Sequence, residues 1–410
     1  MKHRYNMGLF GNLFGIKSVE RDRSGNFYYE INVDGFQNSE KYLEMSLTNP
    51  VLMTLIALRA KIYSQMRIVH QTLDGKVIEK SPYVKLLANP NYFQSQQDYF
   101  FQQMWFLSAC GNCYTYEQKA RTSNFEANTP SAIYNLIPSD IDFRKADKVN
   151  KFITTKQDRK AFGERYIIYK LDDEKHNIYL KDIIPFYDLA NGLTSNSFMS
   201  SPSRVKGIAK VLENIDENIK SKNINLKMSQ KYIARNKSNM QGSPVQLQKD
   251  DRTVIERILW SKNIQITNND VEIQHLVSDF KKLFLDDMFK DDALKCLLAF
   301  DMNKDILNYY GANSTFENQE KGELRYLQNS IMTTASNTMN SFSQQWNLYE
   351  KGEQLVASYE HLTAMQPVVN EKIDTLMKFQ ETMKLAIENE TISKEDAKKK
   401  TDALILKLQL

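Results

Sequence analysis

A chain of 410 residues, 41 % hydrophobic and 25 % charged, is long enough for two or three compact modules, and its composition indicates neither wholesale disorder nor a membrane protein. Its longest strongly apolar stretch, Val51 to Leu58, stops at Arg59, far short of the roughly 20 residues that cross a bilayer. The net charge of +4 is small for this size, so any contact with nucleic acid has to come from local patches.

The first fifteen residues lack the apolar core and cleavage site of a secretory signal, so a cytoplasmic chain is expected. Met7-Gly8 opens the pattern GLFGNLFG, and residues 1–6 read as an extension upstream of it. Asn49-Pro50 starts a helix with Val51, Leu52, Leu55, Ile56 and Leu58 as its apolar face. Two β-prone runs follow, Arg67 to Leu73 and Lys76 to Glu79, and Asp74-Gly75 between them predicts a hairpin. A second helix spans about Ser95 to Ala109, rich in aromatic residues and ended by Gly111. Strands are expected around Cys113 to Lys119, Ala132 to Ile137, Tyr166 to Leu171 and His176 to Leu180. Together these make residues 49–200 a mixed α/β module.

Residues 191–203 form a Ser/Asn/Gly-rich boundary. Beyond it, Val205, Ile208, Leu212, Ile215, Ile219, Leu226 and Ile233 keep three- and four-residue spacings with no proline, which predicts one helix over 205–236, roughly 45 Å long at 1.5 Å per residue. A small module follows over Met240 to His275. It has a turn at Gly242-Ser243-Pro244, an amphipathic helix near Asp251 to Trp260, and strands around Asn263 to Thr267 and Val271 to Leu276. Further helices are expected over Val277 to Tyr309, over Glu317 to Tyr349, and in a charged tail from Val368 to Leu410. That tail breaks near Asn389-Glu390-Thr391 and restarts on a capping-box pattern at Ser393 to Asp396.

The chemistry-bearing patterns are few. There are three cysteines, Cys110, Cys113 and Cys296, too few and too odd in number for a disulfide framework. Cys110-Gly111-Asn112-Cys113 is a CxxC, the mark of a redox dithiol when it opens a helix after a strand. Here a helix precedes it and a strand follows, so it reads as a helix stop with two small packed side chains. Cys296 and five scattered histidines give no zinc-ligand spacing. Asp286, Asp287, Asp291 and Asp292 approach one helix face, but Lys281, Lys282, Lys290 and Lys295 intersperse them at ion-pair spacing, the pattern of a solvated or subunit-facing surface. No P-loop, GxGxxG, HExxH or GxSxG occurs, and no catalytic residue, metal or cofactor is expected.

The run Leu86-Leu87-Ala88-Asn89-Pro90-Asn91, then an aromatic helix, then Gly111-Asn112-Cys113-Tyr114 and Arg121, resembles the core signature of tailed-phage portal proteins of the shorter-chain branch. Leu136-Ile137-Pro138-Ser139-Asp140, Asp182 to Tyr187, Ser201-Pro202, Arg235-Asn236, Phe300 to Asn308 with Tyr310-Gly311, and Thr315 to Asn318 follow in the family's order, so the likeness covers about Met7 to Leu362. The sequence departs from the family at Asn303 and Pro185-Phe186-Tyr187, where a proline and often a histidine are usual. What the resemblance implies is an α+β portal fold: an N-terminal arm (1–48), a mixed α/β wing (49–203), stem helix 1 (204–239), a small α/β clip (240–276), stem helix 2 (277–308), a tunnel loop with a long wing helix (309–349) and a helical C-terminal crown (350–410). It also implies a homo-oligomeric ring, usually a dodecamer, at one capsid vertex of the virion. Such a ring passes double-stranded DNA without regard to sequence, docks the terminase large subunit and a tail adaptor, and meets the major capsid and scaffold proteins, with no membrane. Tunnel-loop candidates are Asn313, Thr315, Glu317, Asn318 and Lys321; clip contacts are Ile255 and Trp260.

The charge pattern of the long predicted helix adds one more candidate. At about 100° per residue, Lys206, Lys210, Lys220, Lys231 and Arg235 fall on one stripe, opposite the apolar one. Between Arg204 and Lys237 nine Lys or Arg stand against three acids, +6, whereas Asp279 to Asp305 carries −2, with five against seven. Three readings stay open: opposite-charge packing between neighbouring stems, a channel lining, or an ordinary solvated face, Glu213 and Glu217 lying in the same stripe. Rival functions are a thiol oxidoreductase using Cys110 and Cys113, and a non-ring helical scaffold or adaptor.

Overall fold

The computed structural model describes residues 20–21, 27–29, 39–119, 130–143, 149–150, 160, 163–171, 174–189, 199–228, 232–236, 271–275, 285–304, 316–389 and 391–408. The chain divides into two units, Met1–Gly207 with Leu297–Leu410, and Ile208–Cys296.

In the first unit helices begin where the sequence supplies a cap. After α1 (Ser39–Thr48), α2 (Pro50–Ser64) opens with the Leu52 N–H donating to the Asn49 side chain at 3.0 Å and Pro50 in the first turn, where no N–H is needed. Ser81 and Pro82 repeat the device for α3 (Pro82–Ala88). α4 (Gln96–Cys110) opens on a reciprocal Ser95–Asp98 capping box and stops at Gly111 in the left-handed conformation, φ 79°. α2 and α4 pack against each other; Leu52, Ile56, Tyr99, Phe100 and Met104 are fully buried there, each worth about 1.5–3 kcal/mol of apolar transfer.

Three small antiparallel sheets complete the N-terminal part. β4 (Asn112–Gln118) lies between β5 (Ala132–Leu136) and β10 (Ile183–Tyr187). β8 (Tyr166–Leu171) lies between β6 (Ile141–Asp142) and β9 (Glu174–Tyr179), and β2 (Phe27–Tyr29) between β1 (Glu20–Arg21) and β7 (Val149–Asn150). The C-terminal part folds back onto this frame. α7 (Phe316–Tyr326) runs through a π-helical turn at Leu327–Ile331 into α8 (Met332–Gln345). β13 (Glu353–Ser358) then pairs with β3 (Arg67–Thr72) over its full length, from Glu353 opposite Thr72 to Ser358 opposite Arg67. Trp346 stacks on Tyr83 with centroids 5.0 Å apart and donates its indole N–H to buried Glu117 at 2.6 Å. α9 (Gln366–Glu388) and α10 (Lys394–Leu408) pack on each other, yet no residue of α9 is buried and Ile373, Met377 and Leu385 stay exposed.

The second unit is entered through α5 (Arg204–Met228), whose residues Ile208, Leu212 and Ile215 are buried, and left through α6 (Leu285–Ala299). Between them β11 (Tyr232–Asn236) and β12 (Val271–His275) pair antiparallel, Asn236 opposite Val271 and Tyr232 opposite His275. The Lys222 ammonium lies 5.2 Å from the Phe289 ring centroid.

Several elements differ from the sequence expectation. The helix predicted over 205–236 ends at Met228, and Ile233 and Arg235 belong to a strand. The Asp74-Gly75 turn forms, with Gly75 at φ 88°, but its second arm makes only one bridge, Val77 to Gln71, on the edge of β3 away from β13, before Ser81 and Pro82 open α3. Of the helix expected over Val277 to Tyr309, Leu285–Ala299 is helical before Asp301 takes φ 58°. Residues 353–358, placed in a helical C-terminal part, are a strand. The helix near Asp251 to Trp260 and the strand near Asn263 to Thr267 lie outside the described residues.

Candidate functional site

Chain leaves the first unit at Gly207 and returns at Leu297, and residues near those crossings carry a dense network of polar contacts among the described residues. Gly111 and Asn112 form its first part. Asn112 accepts from the Ser201 N–H through Oδ1 at 2.5 Å and donates through Nδ2 to the Ser201 carbonyl at 3.3 Å. One amide thus satisfies both backbone groups of a residue in an irregular segment, which would otherwise be buried without partners. Tyr114 donates its hydroxyl to the Met199 carbonyl at 2.6 Å, and Ser203 donates to the Ala109 carbonyl at 2.6 Å. The backbone leading into α5 is thereby clamped to the end of α4 and the start of β4.

The second part is an ionic chain through the unit's interior. Arg59, on the largely apolar α2, is fully buried and donates to Asp188 Oδ1 at 2.6 Å; Arg204 Nε donates to the other carboxylate oxygen. Arg204 also donates through one amino group to the Ala299 carbonyl and to Asp301, both at 2.8 Å. The guanidinium therefore caps the last carbonyl of α6, that of Ala299, while its charge opposes the negative end of that helix. Burial alone would push the Asp188 carboxyl up, but the charges of Arg59 and Arg204 and their hydrogen bonds outweigh it and hold it below the usual carboxylate range. The Phe300 ring faces Arg59 at 6.0 Å. Both crossings are so tied to one another through Arg204, and through Asp188 to the middle of α2.

Of the predicted basic stripe, Lys206, Lys210 and Lys220 lie exposed on α5, and Lys220 is paired with Glu217 at 2.8 Å. Lys231 lies outside the described residues, and Arg235 stands in β11 opposite Glu272, so the helical angle that joined it to the others does not apply. Glu317, Asn318 and Lys321 fall within α7 and not in a loop; Asn313, Thr315, Ile255 and Trp260 lie outside the described residues. Cys110 and Cys113 are free and buried. Burial pushes the Cys110 thiol up to about 12 and the Cys113 thiol well above its ordinary value, so neither forms a reactive thiolate. Asp291 and Asp292 are both paired with Lys295, at 2.7 and 3.0 Å. Among the described residues no cluster of acids, cysteines or histidines could hold a metal ion, and no helix is long and apolar enough to cross a membrane.

The Arg59–Asp188–Arg204–Asp301 chain was not foreseen from the sequence. Its one local signal was an arginine inside an apolar helix, which calls for a buried counter-charge; nothing local names Asp188, 129 positions away.

No family pattern and no curated sequence matches the chain. Solved structures do. A chain in the neck of a native gene transfer agent particle, computed with C12 symmetry, superposes with a TM-score of 0.59 at 12 % identity, covering 84 % of this chain and 89 % of that one. A chain in the neck of the empty particle, computed with C6 symmetry, gives 0.60 at 12 % identity over 83 % and 89 %. An HK97-family phage portal protein from Corynebacterium diphtheriae gives 0.49 at 10 % identity over 76 % and 93 %. What is shared with the neck chains is the fold, over most of both lengths.

Proposed function

We propose that this chain is a portal protein, the repeating subunit of a ring at one capsid vertex through which double-stranded DNA enters and leaves the head. The observation that carries the reading is the fold shared with a chain of a twelve-fold particle neck over 84 % of this chain, joined to the signature residues Gly111, Asn112 and Tyr114, which have a structural task here. They hold residues 199–203, the approach to α5, and α5 and α6 read as the stem helices. The ring is homo-oligomeric and dodecameric in this reading. Residues 240–276, which include β12, are then the clip, with Ile255 and Trp260 at its contacts with neighbours and with the packaging motor or tail adaptor. Lys206, Lys210 and Lys220 serve either the channel wall or the contact between stems. The modest net charge of +4 suits a conduit, since walls that held phosphates tightly would stall a sliding duplex. The role is structural and not catalytic.

Electron microscopy of the purified chain tests this directly. A closed ring with a central hole is the expected image; sedimentation showing only monomer across a wide concentration range would overturn the proposal, and a small open oligomer would favour a scaffold or adaptor.

A further inference from the structure

Residues 326–349 contain no charged residue, although a quarter of the chain is charged and about six would be expected in 24 positions. Burial accounts for half of these positions, 12 of the 24, and the other half lack charge as well. On α8 the side chains of Asn337, Asn340 and Gln344 are exposed and Ser341 is half-buried, at the i, i+3, i+4, i+7 spacing of a single helix face. Asparagine and serine are also weak helix formers. An exposed helix face made of them gives up both propensity and solvating charge, which is the composition of a surface that another surface covers, since charged residues are depleted at interface centres. With Tyr187 and Leu189 these four residues line an open groove of about 310 Å³, and Leu189 is 48 % exposed.

The same unit carries an uncharged aromatic projection. Tyr92 and Phe93 are 93 % and 82 % exposed and lie edge to face, centroids 5.4 Å apart. Asn91 fixes the loop beneath them: its amide donates to the Ile133 carbonyl at 3.0 Å and its Oδ1 accepts from the Phe93 N–H at 3.0 Å. Two aromatic rings held out into water on a braced turn are costly unless they dock. Residues 86–97 around them are uncharged too. A cavity of about 150 Å³ accepts one benzene ring, so the groove has room for two.

We infer that Tyr92 and Phe93 of one copy insert into the groove between β10 and α8 of a second copy of this chain. Knob and socket lie on different parts of the sequence, so the contact is heterologous, head to tail, and closes into a ring when the rotation per copy divides a full turn. The inference rests on the portal reading and deepens it by naming one subunit contact.

Phe93→Cys and Asn337→Cys, made in separate chains, test it, because both positions are exposed while Cys110, Cys113 and Cys296 are buried. Mixed, co-assembled and oxidised, the two variants should give a disulfide dimer holding one of each, and either variant alone should give none. Rings of normal mass with no mixed dimer, or cross-links as strong within a single variant, would overturn the contact and leave the portal reading standing. Absence of any multimer from wild type would sink both. Tyr92→Ser with Phe93→Ser should weaken association roughly tenfold or more, as loss of aromatic anchors does, with the monomer still folded by circular dichroism.

Discussion

Gly111 occupies a position where no other residue fits. Its φ of 79° already favours glycine, and a Cβ there would lie 2.7 Å from the Pro202 carbonyl oxygen and 2.8 Å from that of Ser201, backbone atoms that cannot swing away. Gly111→Ala should therefore cost about 2 kcal/mol or more and loosen the segment that enters α5, read as a lowered urea midpoint with faster amide exchange around 199–203. An unchanged midpoint would show that the clamp is dispensable. Asp188 makes a second residue-scale case. Replaced by Asn, it leaves Arg59 buried without counter-charge, a loss of about 3–5 kcal/mol at neutral pH. Because its folded pKa is held below that of an ordinary carboxylate by Arg59 and Arg204, the stabilisation from its ionised form is complete above the unfolded pKa and fades as pH falls through the folded one. The stability gap between wild type and Asp188→Asn should hence narrow in acid. A gap independent of pH would mean that the carboxylate's charge contributes nothing.

Elements that announce themselves locally were legible in the sequence, and those fixed at a distance were not. Asn49-Pro50, Ser95 with Asp98, Gly111, and Ser393 with Asp396 mark helix ends by chemistry within four residues. Observed starts and stops agree: the Ser393 hydroxyl lies 2.7 Å from the Asp396 carboxylate and accepts from the Asp396 N–H at 3.1 Å. β13 carries no such mark, since Glu353–Ser358 is a strand only because β3, 281 to 291 positions away in register, offers an edge. The predicted Asp74-Gly75 hairpin is short for a different reason: its second arm bonds the edge of β3 away from β13, through the Thr72 and Ile78 N–H groups, and gives way to the cap of α3 at Ser81. In the long helix the apolar spacing continued through Ile233, yet alternation also fits β11: periodicity over five residues does not separate the two. Of the candidate surfaces, the start of the basic stripe at Lys206 to Lys220 was readable from spacing. The clamp and the ionic chain were readable only as the unexplained Arg59 and as signature residues without a stated task.

On the scale of the whole molecule, the division into two units makes a sharp test possible. In the second unit β11 and β12 are antiparallel and end with Asn236 opposite Val271. An antiparallel pair in that register is what a two-residue turn closes, and Asn-Gly in a type I′ turn matches the strands' twist. Residues 237–270 can therefore be replaced by Asn-Gly without disturbing the ribbon, and all four residues of the ionic chain lie outside the excised segment. The shortened chain should keep the unfolding midpoint of the first unit within about 0.5 kcal/mol of wild type, as expected for a change remote from its packing, and should lose binding to the packaging motor. Salt offers an independent reading: DNA retained by assembled rings should fall off steeply with ionic strength for wild type and shortened chain alike if phosphate contacts belong to α5 and not to the excised segment. A shortened chain that still packaged DNA at the wild-type rate would remove residues 237–270 from the docking role and move that role to the exposed faces of α9 and α10.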